Sequence, residues 1–122
     1  MKNFKTHDSF RPKGCKTTIK STAVTVGAGT QMFDLYSALD LLNQTVVGGG
    51  GKTVSVGGYV MGAGHGLLAP THGLAADQVL EMEVVMPDGK IVTTNECQNQ
   101  DLFWAMRGVS GFPLFVFGIY VR

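Results

Sequence analysis

With 122 residues and a mass of 13.0 kDa, the chain is large enough for one domain with a buried core and short of the size at which chains divide. Its ten basic residues are balanced by nine acidic ones, so the charge gives no support for binding nucleic acid or an anionic membrane. No apolar stretch reaches transmembrane length, and Cys15 and Cys97, which can pair or stay free, have no further cysteine or histidine at metal-ligand spacing, so we expect no membrane partner and no metal site.

The first half of the chain predicts three strands and a helix. Residues 2–20 are basic and polar, which is typical of a surface loop with one short strand. Residues 21–26 carry alternating β-branched side chains and predict a strand that ends at Gly27. Thr30 can then cap a helix that runs to about Asn43, and residues 45–47 predict a second short strand. The helix is inferred from apolar residues spaced three and four apart, namely Met32, Phe33, Leu35, Tyr36, Leu39 and Leu42.

A glycine-rich segment, Gly48–Gly66, follows this helix. It holds nine of the 17 glycines of the chain. Glycine supplies no side chain to a core and weakens helices and strands, so we expect a loop whose backbone approaches a ligand closely. Apolar and aromatic residues such as Val56 and Tyr59 are interleaved with the glycines, whereas flexible linkers are mostly Gly and Ser. The composition therefore favours a loop around a large cofactor that has both phosphates and a ring system.

The two common phosphate-binding motifs do not fit this segment. Gly51, Lys52 and Thr53 match the end of a nucleotide-binding P-loop, but Val46 stands where its first glycine is required. The dinucleotide fingerprint fails as well, because Gly62, Gly64 and Gly66 alternate instead of following its spacing. A nucleotide-binding module that uses Gly51–Thr53 is kept as an alternative.

The second half of the chain predicts a β-hairpin and a helix. Residues 79–86 alternate as a strand does, and the turn signal at 87–90 precedes a returning strand at 91–94. Asn99 can cap a helix closed by Gly108, with Asp101 in its first turn and Leu102, Phe103 and Met106 facing a core. Together, the elements predict an α+β fold in which helices flank an antiparallel sheet.

Part of the chain carries a specific resemblance. The relevant residues are TVSVGGYVMGAGHGLLAPTHGLAADQVLEMEVVMPDGKIVTTN, followed by DLFWAMRG. This pattern resembles the PCMH-type FAD-binding domain of the vanillyl-alcohol oxidase superfamily, and especially the fungal berberine-bridge-enzyme-like oxidoreductases. The resemblance covers residues 4–108 and implies a partial FAD-binding domain over residues 1–122, with FAD as the cofactor.

The resemblance also implies contacts to FAD at particular positions. Tyr59 matches a position near the pyrimidine end of the flavin, where its hydroxyl can donate to N1 or O2. His65 matches a second position near the flavin, and Asp77 can either cap a backbone turn or accept a hydrogen bond from a ribose hydroxyl. The full set of expected cofactor-binding residues is Thr53, Val54, Ser55, Gly57, Gly58, Tyr59, Gly62, Ala63, Gly64, His65, Gly66, Asp77 and Val79.

Covalent attachment of the flavin is expected to differ from that of many relatives. These carry a cysteine, which forms a second bond to the flavin, at the position that Gly51 occupies here. Because glycine has no thiol, the resemblance implies no bicovalent link through this loop. The flavin-linking histidine of the family is expected upstream of this sequence, and His7 is interpreted as a structural or surface histidine.

The end of the chain departs from the family pattern. After Arg107 relatives continue with several glycines and a Phe-Gly-Val-Val segment near the adenine half of FAD, whereas this chain reads GVSGFPLFVFGIYVR. We therefore expect a divergent tail at 109–122, a chain truncated at both ends and no substrate domain or catalytic base. The implied function is FAD-dependent oxidation of a small alcohol, sugar or alkaloid-like metabolite within a larger enzyme, with dioxygen reoxidising the flavin. The alternative is a non-catalytic fragment that binds flavin weakly or not at all.

Overall fold

A computed structural model of the chain describes residues 4–108 and the backbone of residues 115–121. Five strands form one antiparallel sheet in the order β1-β2-β5-β3-β4. The strands are β1 (Phe4–His7), β2 (Ala23–Gly27), β3 (Val79–Val85), β4 (Ile91–Asn95) and β5 (Phe115–Val121). The helical segments are α1 (Met32–Asp40), α2 (Val56–Met61), α3 (Ala69–His72), a 3₁₀ turn (Ala75–Gln78) and α4 (Gln100–Met106). This architecture confirms the predicted α+β class.

The apolar run near the end of the chain contributes the central strand of the sheet. β5 pairs antiparallel with β2, where Val24 lies opposite Val121, and with β3, where Val85 lies opposite Phe115. A continuous apolar run is typical of a strand with neighbours on both sides. The expected divergent tail therefore contains part of the sheet. Residues 109–114, where the departure from the family pattern begins, lie outside the described ranges.

The first helix follows the predicted apolar stripe but differs at both ends. Gln31, not Thr30, occupies the N-cap position, and the Thr30 hydroxyl is buried without a hydrogen-bond partner among the described residues. The helix ends at Asp40 because the chain turns there, with Asn43 in the left-handed region at φ 53°. The expected strand at 45–47 is also wrong, since these residues pair with no strand in the described sheet. Residues 46 and 47 are buried nonetheless.

The glycine-rich segment contains a helix, which the prediction of a continuous loop missed. α2 occupies residues 56–61 and buries Val56 and Val60 in the core, where Val60 is 1% exposed. These two residues are four apart and therefore lie on the same face of the helix. A segment rich in glycine can thus contribute to a core when its few large side chains repeat at helical spacing.

The second half of the chain follows the prediction closely. β3 and β4 form the expected hairpin, with Val85 opposite Ile91. Asn99 is the N-cap residue of α4 and Asp101 lies in the first turn, as predicted. However, the Asn99 side chain donates to the Thr93 carbonyl at 2.7 Å instead of capping the helix. Its backbone is left-handed, at φ 49°.

Helices and sheet share one buried cluster. Strands β2 and β3 and helices α1, α2 and α4 contribute side chains to this cluster. The best buried members are Val26, Met32, Leu35, Leu39, Val60, Met82, Val84, Phe103 and Met106. Within the described ranges, no helix has the length and apolarity needed to cross a membrane.

A disulfide fixes the loop after β1 to the end of the hairpin. Cys15 and Cys97 are bonded, which resolves the choice between paired and free cysteines. Beside the disulfide, the Glu81 carboxylate is 1% exposed and accepts hydrogen bonds from the Lys13 backbone N–H at 2.6 Å and from Asn95 Nδ2 at 2.8 Å. The Asn95 amide also donates to the Lys13 carbonyl. This network, which we call the Glu81 clamp (Lys13, Glu81 and Asn95), satisfies a buried charge through hydrogen bonds.

Candidate functional site

The start of α2 is held against the turn between β2 and α1. The backbone N–H of Val56 donates to the Thr30 carbonyl at 2.9 Å, and that of Gly57 donates to the Ala28 carbonyl at 2.9 Å. A Cβ atom at Gly57 would lie only 2.8 Å from the Ala28 Cβ. Gly57 is therefore required by packing within the protein, because the two segments approach too closely for a larger residue.

Three further glycines surround the ring of Tyr59. A Cβ atom at Gly49 or Gly64 would lie 2.9 Å from an edge carbon of this ring, and a Cβ at Gly66 would lie 2.9 Å from its hydroxyl oxygen. Gly66 also lies against the backbone of Gly48. These glycines enclose a side chain of the same segment, so their presence does not by itself require a ligand.

Two tyrosine hydroxyls lie inside this region. Tyr36 donates to the Gly49 carbonyl at 3.0 Å, whereas the buried Tyr59 hydroxyl has no hydrogen-bond partner among the described residues. Burial raises the pKa of both hydroxyls above 10.0, and for Tyr59 the nearby Tyr36 raises it further. Both groups are therefore protonated at neutral pH, and the Tyr59 hydroxyl is a donor without an acceptor.

The raised tyrosine pKa values predict a loss of stability in alkaline solution. Because the folded pKa lies above the unfolded one, the stabilisation is complete below pH 10 and is lost as the pH rises through the folded pKa. We expect tyrosinate absorbance to rise together with the loss of near-ultraviolet circular dichroism. A Y36F/Y59F double variant should lose structure at a higher pH than the wild type. Identical alkaline midpoints would contradict this prediction.

Another group of glycines has open space beside it. A Cβ atom at Gly29, Gly50 or Gly58 would meet no atom within 4 Å, and none of the three has a positive φ. Neither packing nor backbone conformation within the described residues requires glycine there. Gly58 even lies inside α2, where glycine costs about 1 kcal/mol relative to alanine. Close approach by a bound molecule is one physical reason for glycine at such positions, and we call Gly29, Gly50 and Gly58 together the open face.

The C-terminal part of the segment is tied to the 3₁₀ turn. The Ala76 N–H donates to the Ala63 carbonyl, and the Ala75 N–H donates to the Gly64 carbonyl at 3.0 Å. Ala63 and Gly64 both have left-handed backbones, at φ 70° and 74°. Asp77 accepts a hydrogen bond from the Leu74 N–H at 2.8 Å. Of the two roles considered for Asp77, the cap of a turn is therefore present.

The structure brings most of the expected cofactor-binding residues onto one continuous segment but buries some of them. Val79 packs in the core, and Gly57 and Gly64 are buried by their neighbours. Exposed positions are Thr53, Val54, Gly58, Gly62, His65 and Asp77, and partly buried ones are Ser55, Tyr59, Ala63 and Gly66. His7, half-buried, lies 2.7 Å through Nε2 from the Thr25 hydroxyl.

Sequence reasoning missed Tyr36, Gly29 and Gly50. Tyr36 was assigned to the apolar stripe of α1, and its contact with the Gly49 carbonyl spans 13 residues of sequence, so no local pattern could reveal it. Nothing in the sequence distinguishes Gly29 and Gly50 from the glycines that packing requires. The difference lies in the atoms that surround each glycine in the folded chain. Among the described residues, no group of three or more His, Cys, Asp or Glu side chains could hold a metal ion.

Comparison with known sequences gives consistent matches. A family model described as "FAD binding domain" matches residues 10–95. An FAD-linked oxidoreductase of Aspergillus flavipes is 47% identical over 106 residues, which are 86% of this chain and 17% of that protein. Aurantioclavine synthase of Penicillium expansum is 47% identical over 113 residues, 91% of this chain and 24% of that protein. The chain thus spans only about a fifth of the length of such curated relatives.

Solved structures show the same likeness. A VAO-type flavoprotein from Myceliophthora thermophila C1 superposes with a TM-score of 0.88 at 35% identity, covering 99% of this chain and 22% of that one. A glucooligosaccharide oxidase from Acremonium strictum, which carries 6-S-cysteinyl, 8α-N1-histidyl FAD, superposes with a TM-score of 0.76 at 35% identity, covering 82% of this chain and 21% of that one.

Proposed function

The chain belongs to the FAD-binding domain family of VAO-type and berberine-bridge-enzyme-like flavoproteins, and from this membership we propose that it binds FAD as the cofactor-holding part of an FAD-linked oxidoreductase. The observation that carries the proposal is the match over residues 10–95, which includes the whole glycine-rich segment. When bound, FAD supplies the hydride acceptor for oxidation of a substrate. The chain's own residues bind and orient it.

The open face around Gly29, Gly50 and Gly58 is the proposed contact surface for the cofactor. These glycines leave space that no described residue fills, and Gly58 is exposed. Ser55 begins the helix that presents Gly58, and Thr53 is exposed just before it. We expect the backbone here to approach the cofactor more closely than any residue with a Cβ atom would allow.

Tyr59 is proposed to lie beneath this face as a hydrogen-bond donor. Its hydroxyl lacks an acceptor, and its raised pKa keeps the proton in place at neutral pH. An acceptor atom of the flavin would satisfy this donor. Because the hydroxyl is closed off from solvent, the contact requires the surrounding glycines to shift locally. His65 is exposed and can reach a ligand without such a shift.

The cofactor is proposed to have no cysteinyl bond in this chain. The chain contains two cysteines, and they are bonded to each other. Gly51, which stands at the position of the flavin-linking cysteine by resemblance, supplies no thiol. Any covalent link would therefore need a residue other than cysteine.

The substrate is proposed to be a small alcohol, a sugar or an alkaloid-like metabolite, with dioxygen as the electron acceptor. Support comes from the relatives, which include a glucooligosaccharide oxidase and an aurantioclavine synthase. The chain spans only about a fifth of the length of these relatives, whose names describe the whole enzyme. The substrate class is therefore proposed for the enzyme of which this domain is a part.

Titration with FAD tests the proposed contact surface. Gly58→Ala adds one methyl group where the protein itself has open space, so it should leave folding intact and weaken FAD binding by about tenfold or more. Gly89→Ala and Gly108→Ala are not suitable comparisons, because Gly89 has φ 83° and Gly108 lines a cavity together with the expected cofactor-binding residues Ala63 and Asp77. Ser37→Ala, at an exposed position of α1, serves as the control. Equal affinity of all three proteins would contradict the assignment of this face, and no binding by the wild type would contradict the function.

A further inference from the structure

The turn after α1 carries a short sequence pattern that the proposed function does not use. Residues 43–45 read Asn-Gln-Thr, which fits the pattern Asn-x-Ser/Thr, with any residue except proline in the middle, at which N-linked glycans are attached. The chain has four asparagines, and only Asn43 begins this pattern. Because a three-residue pattern also occurs by chance, the structure around it decides whether it is a usable acceptor.

The backbone of this turn is fixed, whereas its two acceptor side chains are free. The Asn43 N–H donates to the Asp40 carbonyl at 3.0 Å, and the Gln44 N–H donates to the Leu39 carbonyl at 3.0 Å. The side chains of Asn43 and Thr45 are exposed and form hydrogen bonds to none of the described residues. The left-handed backbone at Asn43, with φ 53°, favours glycine or asparagine at that position, but it gives no reason for Thr45.

The other asparagines in residues 4–108 show what an amide looks like when the fold uses it. Asn95 Nδ2 donates to the Lys13 carbonyl at 2.9 Å, and Asn99 Nδ2 donates to the Thr93 carbonyl at 2.7 Å. Asn95 is also 0% exposed. Within this range, Asn43 is therefore the asparagine whose amide nitrogen is left available for a reaction.

The disulfide is an independent observation that points to a compartment in which such glycans are attached. Disulfide bonds form and persist in oxidising environments such as the lumen of the endoplasmic reticulum, and they are rare in the cytosol. Asparagine-linked glycans are added in that lumen as well. Cys15 and Cys97 are bonded to each other, so the folded chain fits the environment that the pattern requires.

Two large apolar side chains next to the pattern are left exposed. Leu41 is 84% exposed and Leu42 is 48% exposed. A sugar attached to Asn43 would lie beside both. The surface next to Thr45 is open as well, with a depression of about 300 Å³ that Gln44 and Thr45 help to line. There is thus room for a glycan, and there is apolar surface for it to cover.

We propose that Asn43 carries an N-linked glycan that covers Leu41 and Leu42. The donor is an oligosaccharide joined to a lipid diphosphate, and an oligosaccharyltransferase catalyses its transfer. The bond between C1 of the first sugar and the diphosphate oxygen breaks, a bond forms between that C1 and Asn43 Nδ2, and Nδ2 loses one proton as the lipid diphosphate leaves. No electrons are exchanged, and the modification does not depend on FAD.

Glycosidase treatment of the chain made in yeast tests this site. The chain is directed into the endoplasmic reticulum by a cleavable leader and collected from cells and medium together, and removal of the leader identifies the translocated molecules. We expect a slower-migrating form that peptide-N-glycosidase converts to the unmodified mobility. Peptide mass spectrometry should then find the Asn43 amide converted to a carboxylic acid, with Asn95 and Asn99 unchanged.

Substitutions separate loss of the acceptor from loss of the fold. Asn43→Gly should abolish the glycan and leave the protein folded, because glycine favours the left-handed backbone at this position. Thr45→Ala and Thr45→Ser form a matched pair at an exposed position, of which only the serine variant keeps the pattern and the glycan. Circular dichroism checks that each variant is folded.

The covering of the leucines is tested on the same protein. Removal of the glycan should raise the emission of an added apolar dye such as ANS, and the increase should be smaller in an L41S/L42S variant. Unchanged dye emission after removal would overturn the covering role. An unmodified Asn43 in translocated wild-type chains, or a glycan that persists in Thr45→Ala, would overturn the assignment of the site. Neither result bears on whether the chain binds FAD.

Discussion

Replacing Gly64 with alanine is expected to destabilise the protein by about 3 kcal/mol. Gly64 has φ 74°, which is unfavourable for any residue with a Cβ atom, and the new methyl group would lie 2.5 Å from the Ala75 Cβ and 2.9 Å from the Tyr59 ring. Both contacts are with well-packed atoms that cannot move away cheaply. The urea midpoint of unfolding should therefore fall at an unchanged slope.

Gly58→Ala is the matched control for this prediction. It makes the same chemical change in the same segment, but the new methyl group meets no atom within 4 Å and φ is not positive. Because alanine is the better helix former, this variant should equal the wild type or gain up to about 1 kcal/mol. If Gly64→Ala unfolds at the wild-type urea midpoint, or if both variants lose the same stability, the division of these glycines into a packed and an open group is wrong.

Breaking the disulfide is expected to have the largest effect on stability, about 4 kcal/mol. Cys15 and Cys97 are separated by 82 positions, so the bond closes a long loop that includes both α1 and α2 and thereby restricts the unfolded chain. The Glu81 clamp still connects the same loop to the sheet and should preserve the native fold at low denaturant. We expect a reducing agent to lower the urea midpoint substantially.

A C15S/C97S variant provides the control for reduction. It should unfold at the same low midpoint with or without the reducing agent, since it has no bond to break. The prediction is wrong if reduction leaves the wild-type midpoint unchanged, or if the reducing agent lowers the midpoint of the variant as well.

The parts of the fold that are encoded locally could be predicted from the sequence. The hairpin of β3 and β4 follows from the partial alternation of residues 79–86 and the turn residues between the strands, and α1 follows from Met32, Leu35 and Leu39 on one face. Phe33, at 54% exposure, shows the limit of this approach, because its spacing also fits the stripe but places it on the outer side. Periodicity indicates a helix more reliably than it selects each buried residue.

The parts determined by distant contacts could not be predicted in the same way. Glycine content suggested a loop at 56–61, but burial of Val56 and Val60 stabilises a helix there despite Gly57 and Gly58. Tertiary packing overrode local preference there. The sequence also left open whether Cys15 pairs with Cys97, 82 positions away, because that depends on the fold bringing the two cysteines together.

The candidate site could likewise be predicted from the sequence only in part. The sequence pattern identified the segment from Thr53 to Gly66, and the resemblance identified the cofactor. However, only the three-dimensional contacts separate Gly64 and Gly66, which enclose Tyr59, from Gly58, which faces open space. Recognition of a family therefore located the site, whereas the role of each glycine depends on what lies beside it.

The most direct test of the central claim is whether the purified chain retains FAD. The protein is mixed with excess FAD, separated from free cofactor by gel filtration and precipitated with acid, and the flavin absorbance of each fraction is measured. We predict that flavin elutes with the folded protein and is released into the supernatant by acid, because no cysteine is free to hold it covalently. Elution of folded protein without flavin would contradict FAD binding, and flavin retained in the acid precipitate would contradict non-covalent attachment.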